Sequence, residues 1–177
     1  RNIGIGKSRG EFVCFLDADD EYKSNHLDFF NTAIEKNPHI DCFFADSEVV
    51  REDDLWNKYD GYLARLLQRG VYWEKKENYV YFDQNFPRML VKGSLIPMCS
   101  TAIRKKVFIQ DKCFNENFSI AEDFELWFRL SFKYKFLAID EKLSTVHHHQ
   151  DNSIHPSNQY VTVKKQLDVT QHILNNY

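Results

Sequence analysis

The sequence predicts an α/β fold, a mixed and mainly parallel sheet flanked by helices. Three observations carry this. "EFVCFL" (11–16) is an apolar run of strand length, the pattern of a strand buried on both faces. "IDCFFAD" (40–46) is a second such run. Between them lies "NHLDFFNTAIEKN", with Leu27, Phe30 and Ile34 at helical spacing. Strand, helix and strand over about 35 residues is βαβ spacing, which implies a parallel pair with a right-handed crossover.

The elements follow in order. "RNIGIGKSRG" reads as the end of a helix stopped by Gly10 as its C′ residue. Ser24 is placed to cap the next helix, and Pro38 stands just beyond its end. Residues 51–95 alternate charged and aromatic side chains without a steady period. Within them "LWNKYDGYLARLLQR" has helical spacing and "ENYVYF" suits a short strand. "PMCSTAIR" is a further strand candidate, followed by a helical turn at "KKVFIQ". "AEDFELWFRLSFKYK" predicts a helix with a broad apolar side of Phe124, Trp127, Phe128, Leu130 and Phe132. "FLAIDEKLSTVHHH" predicts a strand. The C-terminal segment predicts an amphipathic helix with Val163, Leu167 and Ile173 or Leu174 along one face.

Composition narrows the function. The 177 residues suit one domain, 43% are hydrophobic and 15% aromatic, enough for a large core. The net charge of −3 and the lack of a basic stripe argue against nucleic acid as partner. No apolar run approaches the roughly 18 residues that span a bilayer. Cys14, Cys42 and Cys99 sit inside apolar runs and no CxxC pair occurs. Free buried thiols and a reducing compartment are the expectation.

The chemistry concentrates in three places. Asp17, Asp19 and Asp20 follow the first strand, and in open α/β sheets ligands bind at the carboxyl ends of strands. Neighbouring carboxylates repel, and oxygen ligands suit Mg²⁺ or Mn²⁺ together with substrate phosphates. The plainer reading is an acidic turn that caps the following helix. Glu122 and Asp123 open the helix of "AEDFELW". There they match the helix dipole, or serve as a general base if they face the metal site. In "STVHHHQDNSIH", His147 and His149 share one face of a strand and His148 takes the other. A metal-ligand role for one of them stands beside a structural one.

These three blocks resemble a known family. "RNIGIGKSRGEFVCFLDADDEY" is similar to the "aRNxGixxAxGeyixFLDxDD" of family 2 glycosyltransferases of the GT-A fold. "FNENFSIAEDFELWFRL" resembles that family's "FdExfxxxEDxdLWxRL", and "LSTVHHHQDNSIH" its closing "LxxYRxHxxnSiS". The blocks fall in family order and bracket nearly the whole chain. The resemblance implies transfer of a sugar from a nucleotide sugar, with UDP-sugars favoured, to an acceptor hydroxyl, normally with inversion. It implies roles by position. Asp17 and Asp19 match the DxD motif that holds the Mn²⁺ or Mg²⁺ ion and the donor diphosphate, and Asp20 matches a third acid at the donor site. Asp123 matches the general base and Glu122 its neighbour. His149 matches a histidine that reaches the metal or diphosphate, and Arg1 and Asn2 match the "RN" pair at the donor site. Trp127 offers a sugar-stacking face for the acceptor, against the plainer reading of a core aromatic.

Three departures stand out. The family's opening strand, ending in "PxYN", and its base-reading acid are absent, so the expectation is an N-terminally truncated nucleotide half. "VHHH" replaces "YRxH", and "DKCFNE" replaces "xGGFDE". The division expected is a donor and metal half at 1–50, a variable acceptor side at 51–95, and the ED helix, closing strand and final helix at 96–177. A glycan or lipid-linked acceptor in polysaccharide biosynthesis, a cytoplasmic place at the inner membrane face, and homo-oligomerisation complete the family expectations. Two alternatives are weighed. One is a transferase-like module that binds a glycan or partner without turnover. The other is a DxD Mg²⁺ phosphatase, which normally wants Thr or Val where Glu21 stands.

Overall fold

The computed structural model describes residues 1–51, 61–70, 73–91, 93, 95–149 and 159–177. Among the described residues seven strands form one sheet, flanked by helices. The strands are β1 (Phe12–Cys14), β2 (Glu21–Tyr22), β3 (Cys42–Arg51), β4 (Trp73–Lys76), β5 (Tyr79–Phe82), β6 (Thr101–Arg104) and β7 (Phe136–His148). The helices are α1 (Asn2–Lys7), α2 (His26–Lys36), α3 (Tyr62–Leu67), α4 (Phe86–Leu90), α5 (Lys105–Gln110), α6 (Glu122–Ser131) and α7 (Gln159–Asn176).

The mixed α/β class holds, but the pairing is mainly antiparallel. The order is β1-β6-β3-β7-β5-β4, with β2 added to β7. Among the described strands only β3 and β7 pair in parallel. β1 and β3 do run the same way, as the βαβ spacing requires. They are not neighbours, because β6 inserts between them antiparallel to both. β6 comes from almost 60 residues later, so local spacing could not reveal it.

Side-chain alternation on the central strands builds two cores. Cys42 and Phe44 of β3, with Phe136 and Ala138 of β7, face the layer of α3, α4, α6 and α7. Phe43 and Ala45, with Leu137 and Ile139, face α2. On α2 the buried residues are His26, Phe30 and Ala33, whereas Leu27 is exposed. Asn25 rather than Ser24 is the residue before its first turn. α1 ends at Lys7 with Ser8 as its extended C-cap, not at Gly10. The Ser8 hydroxyl donates to the Ile5 carbonyl, which closes the helix without a left-handed residue. α7 buries Thr162, Val169 and Ile173, while Val163, Leu167 and Leu174 point outward. Ile173 of the expected stripe is thus packed, but Val163 and Leu167 are not, so the stripe is rotated toward Thr162 and Val169. Strand β4 was not anticipated, since "WEKK" carries almost no apolar signal. The four cysteines are free, with Cys42 and Cys99 buried.

Two irregularities shape the region that matters. The β3–β7 register slips between Ala45 and Asp46 and again between Asp46 and Ser47. Such bulges bend a strand and re-aim its side chains. Beyond the bulge β7 exchanges its partner β5 for β2, pairing Thr145 with Glu21 and Ser144 with Tyr22. That short antiparallel pair lays the acidic loop 17–20 against His147–His149.

Candidate functional site

A cavity of about 810 Å³ opens where these pieces meet. Asp17, Asp19, Asp20, Glu122 and Asp123 line it together with Arg1. Two sequence blocks more than 100 residues apart thus share one space.

Arg1 joins them. Its Nη2 donates to both carboxylate oxygens of Asp17 at 2.9 Å, and its Nη1 pairs with Glu122 Oε1. A planar guanidinium can grip two carboxylates at once, which Lys could not do with the same geometry. Asp19 is exposed, and its Oδ2 lies 3.0 Å from His149 Nε2. Asp20 turns inward, where its Oδ1 accepts the His147 N–H at 3.2 Å. Burial raises the Asp20 carboxyl above its ordinary range, while that N–H and the Cys99 thiol hold it back. The same thiol lies 3.2 Å from Ser144, whose hydroxyl sits 2.7 Å from those of Ser47 and Ser100. Through Cys99, which lines the cavity, this buried polar network backs the site, and its members satisfy one another.

Asp123 stands at the start of α6, after Ala121 in the left-handed conformation at φ 59°. A non-glycine residue there costs about 1–2 kcal/mol, and the turn it makes aims the two acids into the cavity. Asp123 Oδ1 accepts the Phe124 N–H at 2.7 Å. The helix dipole alone would favour an ionised carboxylate. Burial outweighs it and, with the negative Glu122 alongside, pushes the carboxyl up to about 6; the Phe124 N–H and Arg1 only temper the rise. A carboxyl poised near neutrality in a cleft is suited to proton transfer.

Other expected residues lie elsewhere. Asn2 does not line the cavity. Its amide donates to the Phe114 carbonyl and to Glu116, and its oxygen accepts the Phe114 N–H, so it clamps the 113–116 loop onto α1. Trp127 is fully buried in the core. At that helical position the ring points into the sheet layer, so it presents no stacking face. His148, by contrast, lines the cavity beside His147, and burial, with Arg51 and His149 near, pushes its imidazole down to about 4.

Sequence reading missed the opposite wall. Tyr62 and Arg65 of α3, and Arg69 just after it, line the cavity. Asp46 fixes that helix: its Oδ1 accepts the Tyr62 N–H at 2.8 Å and the Ser47 N–H at 2.8 Å. Gly61 precedes with φ +65°, and a Cβ there would lie 2.3 Å from Asp46 Oδ2. The signal was an acid at the end of "FFAD" and a glycine before "YLARLL".

Among the described residues no three His, Cys, Asp or Glu side chains are gathered to hold a metal ion. The loop offers a pair, the Asp19 carboxylate and the His149 imidazole. That donor set suits Mn²⁺ or Mg²⁺ when substrate phosphate oxygens complete the shell. No described helix is long and apolar enough to cross a membrane.

Comparison with known proteins adds to this geometry. The sequence model of glycosyl transferase family 2 matches residues 1–110. An uncharacterized glycosyltransferase of Rickettsia bellii is 28% identical over 99% of the chain, which covers 23% of that protein. The GalNAc(5)-diNAcBac-PP-undecaprenol beta-1,3-glucosyltransferase of Campylobacter jejuni is 29% identical over 46% of the chain and 33% of its own length. The chain thus spans about a quarter to a third of these two relatives. The crystal structure of S. aureus TarS 1–349 superposes with a TM-score of 0.57 at 18% identity, over 83% of this chain and 39% of that one.

Proposed function

Since the chain belongs to glycosyl transferase family 2 and has the GT-A α/β fold, we propose that it transfers a sugar from a nucleoside diphosphate sugar to an acceptor hydroxyl with inversion. The observation that carries this reading is that Asp123 shares one cavity with Asp17 and Asp19. The acceptor oxygen bonds to the anomeric carbon while the bond from that carbon to the diphosphate oxygen breaks. Asp123 takes the proton the hydroxyl loses. Its raised pKa keeps it basic enough to do so, yet ionised at neutral pH.

The donor diphosphate lies at the acidic loop. Asp19 and His149 would hold a divalent cation there, Mn²⁺ or Mg²⁺, with Asp17 beside them. When bound, the cation neutralises charge on the leaving nucleoside diphosphate. Arg1 keeps Asp17 and Glu122 in one orientation, and thereby sets the acid pair of α6 relative to the donor. Glu122 acts on Asp123 through its charge. The His147 N–H orients Asp20.

UDP-sugars are the favoured donors. A lipid-linked glycan is the favoured acceptor, in keeping with the undecaprenol in the name of the Campylobacter relative. Work on such an acceptor places the site at the inner face of the membrane, in polysaccharide biosynthesis.

Asp123→Asn tests the base directly. The variant keeps the bond to the Phe124 N–H and is expected to bind donor normally but to lose transfer. Transfer at the unmodified rate would remove Asp123 from the role.

A further inference from the structure

The wall facing the acids is cationic. Tyr62, Arg65 and Arg69 line the cavity at i, i+3 and i+7, one face of a helical path. Tyr62 is the end close enough to Asp20 to feel its charge. Seven residues at 1.5 Å each extend this wall over about 10 Å from Tyr62 to Arg69.

Arg69 is partly buried. Its bonds all run from Nη1 to neutral acceptors, the carbonyls of Met89 at 3.0 Å and Gly93 at 2.6 Å. Among the described residues no carboxylate pairs with it. Burial, and the like charge of Arg65 one turn earlier, both press its pKa down. Burying a cation without a counter-charge is costly. Arg104, on the sheet, is held by Glu11 and Asp41, and Arg129 by Glu125. Arg69 is instead fixed by backbone through Nη1, at a position that lines the cavity. A guanidinium held in this way is ordered in advance for a bidentate oxyanion.

We propose that Arg69, with Arg65 beside it, receives an anionic group of the acceptor, a carboxylate or a phosphate. The proposal rests on the transfer reading above. It makes the acceptor an acidic saccharide or a phosphorylated one, seated with its anion on α3 and its hydroxyl toward Asp123. Asp46 and Gly61 then act as positioning residues, since they set where α3 stands.

Glucose, glucose 6-phosphate and glucuronate serve as probes, titrated by ligand-observed NMR with and without saturating UDP. The expected result is that the two anionic probes bind about ten-fold more tightly than glucose. The preference should persist with UDP present and vanish in Arg69→Gln, while Arg69→Lys keeps part of it. Equal binding of all three probes by the unmodified protein overturns the proposal without any variant. So does a preference that Arg69→Gln leaves intact. Loss of the preference on adding UDP also overturns it, because the arginines then serve the donor diphosphate. Nucleoside diphosphate binding in the same titration separates the two readings. A nucleoside diphosphate bound without an anion preference removes only the arginine site, whereas no binding of UDP, GDP, ADP or dTDP in the presence of Mn²⁺ removes the transfer reading itself.

Discussion

Lowering the pH is the most informative perturbation of this site. Transfer needs Asp123 ionised, and its carboxyl is pushed up to about 6 by burial and by Glu122. At pH 8 nearly all of it is ionised. At pH 5 about one molecule in eleven is, so kcat/KM falls about ten-fold. A carboxyl at the ordinary value of 3.8 would lose under a tenth of its activity over the same range. The neighbours give the sign a second check. Glu122 raises the carboxyl, so Glu122→Gln moves the acid limb to lower pH. Arg1 lowers it, so Arg1→Ala moves the limb to higher pH. The same shift bears on stability. A group whose folded pKa is raised contributes stability below pH 3.8 that is lost as pH rises through about 6. Asp123→Asn should therefore raise the melting temperature at pH 8, by the equivalent of about 3 kcal/mol at most. The assay is nucleoside diphosphate release from pH 5 to 8, with thermal melts on the same samples. A rate flat down to pH 5, or limbs that move the opposite way in the two variants, would refute the base assignment.

Further outcomes follow from the same contacts. Gly61→Ala meets both a positive φ and the Asp46 carboxylate at 2.3 Å; it should cost about 2–4 kcal/mol in denaturant melts. Trp127→Ala empties a fully buried core site and should cost about 3–5 kcal/mol, with no selective effect on the KM for acceptor. An acceptor-specific KM change would return Trp127 to a binding role. His26 and His148 are both held below 6.5 by burial. Their neutral forms therefore contribute stability that is complete above pH 6.5 and declines as pH falls toward about 4. Melting curves between pH 7 and 4.5 check this, and removing both imidazoles should flatten the slope.

The chemistry-bearing stretches were legible because local sequence fixes them. The acids at 17–20 follow a buried strand, and Glu122 and Asp123 open a helix whose apolar stripe is unmistakable. Their convergence was legible only through resemblance, since 105 positions separate Asp17 from Glu122. What stayed hidden depends on distant partners. β6 enters between β1 and β3 from the far half of the chain, so a βαβ spacing became a non-adjacent pair. The packed face of α7 is set by what it docks against, and it buries Thr162, Val169 and Ile173 rather than Val163, Leu167 and Leu174. Trp127 sat at a position where either core or cleft was compatible with the period; its neighbours in the sheet layer decided for the core. Arg69 carries no local signal, because an arginine after an amphipathic turn reads as a solvated charge. Its position is evident only once Met89 and Gly93 fold beneath it.

The central claim is that the acids of the first and second blocks form one sugar-transfer site. Its most direct test is nucleoside diphosphate release from a panel of nucleotide sugars, with Mn²⁺ or with EDTA. Asp19→Asn is the control, since Asp19 pairs with His149 at the mouth of the site. The account predicts release from one donor class that needs both the ion and Asp19. Release that survives EDTA and Asp19→Asn unchanged would contradict it.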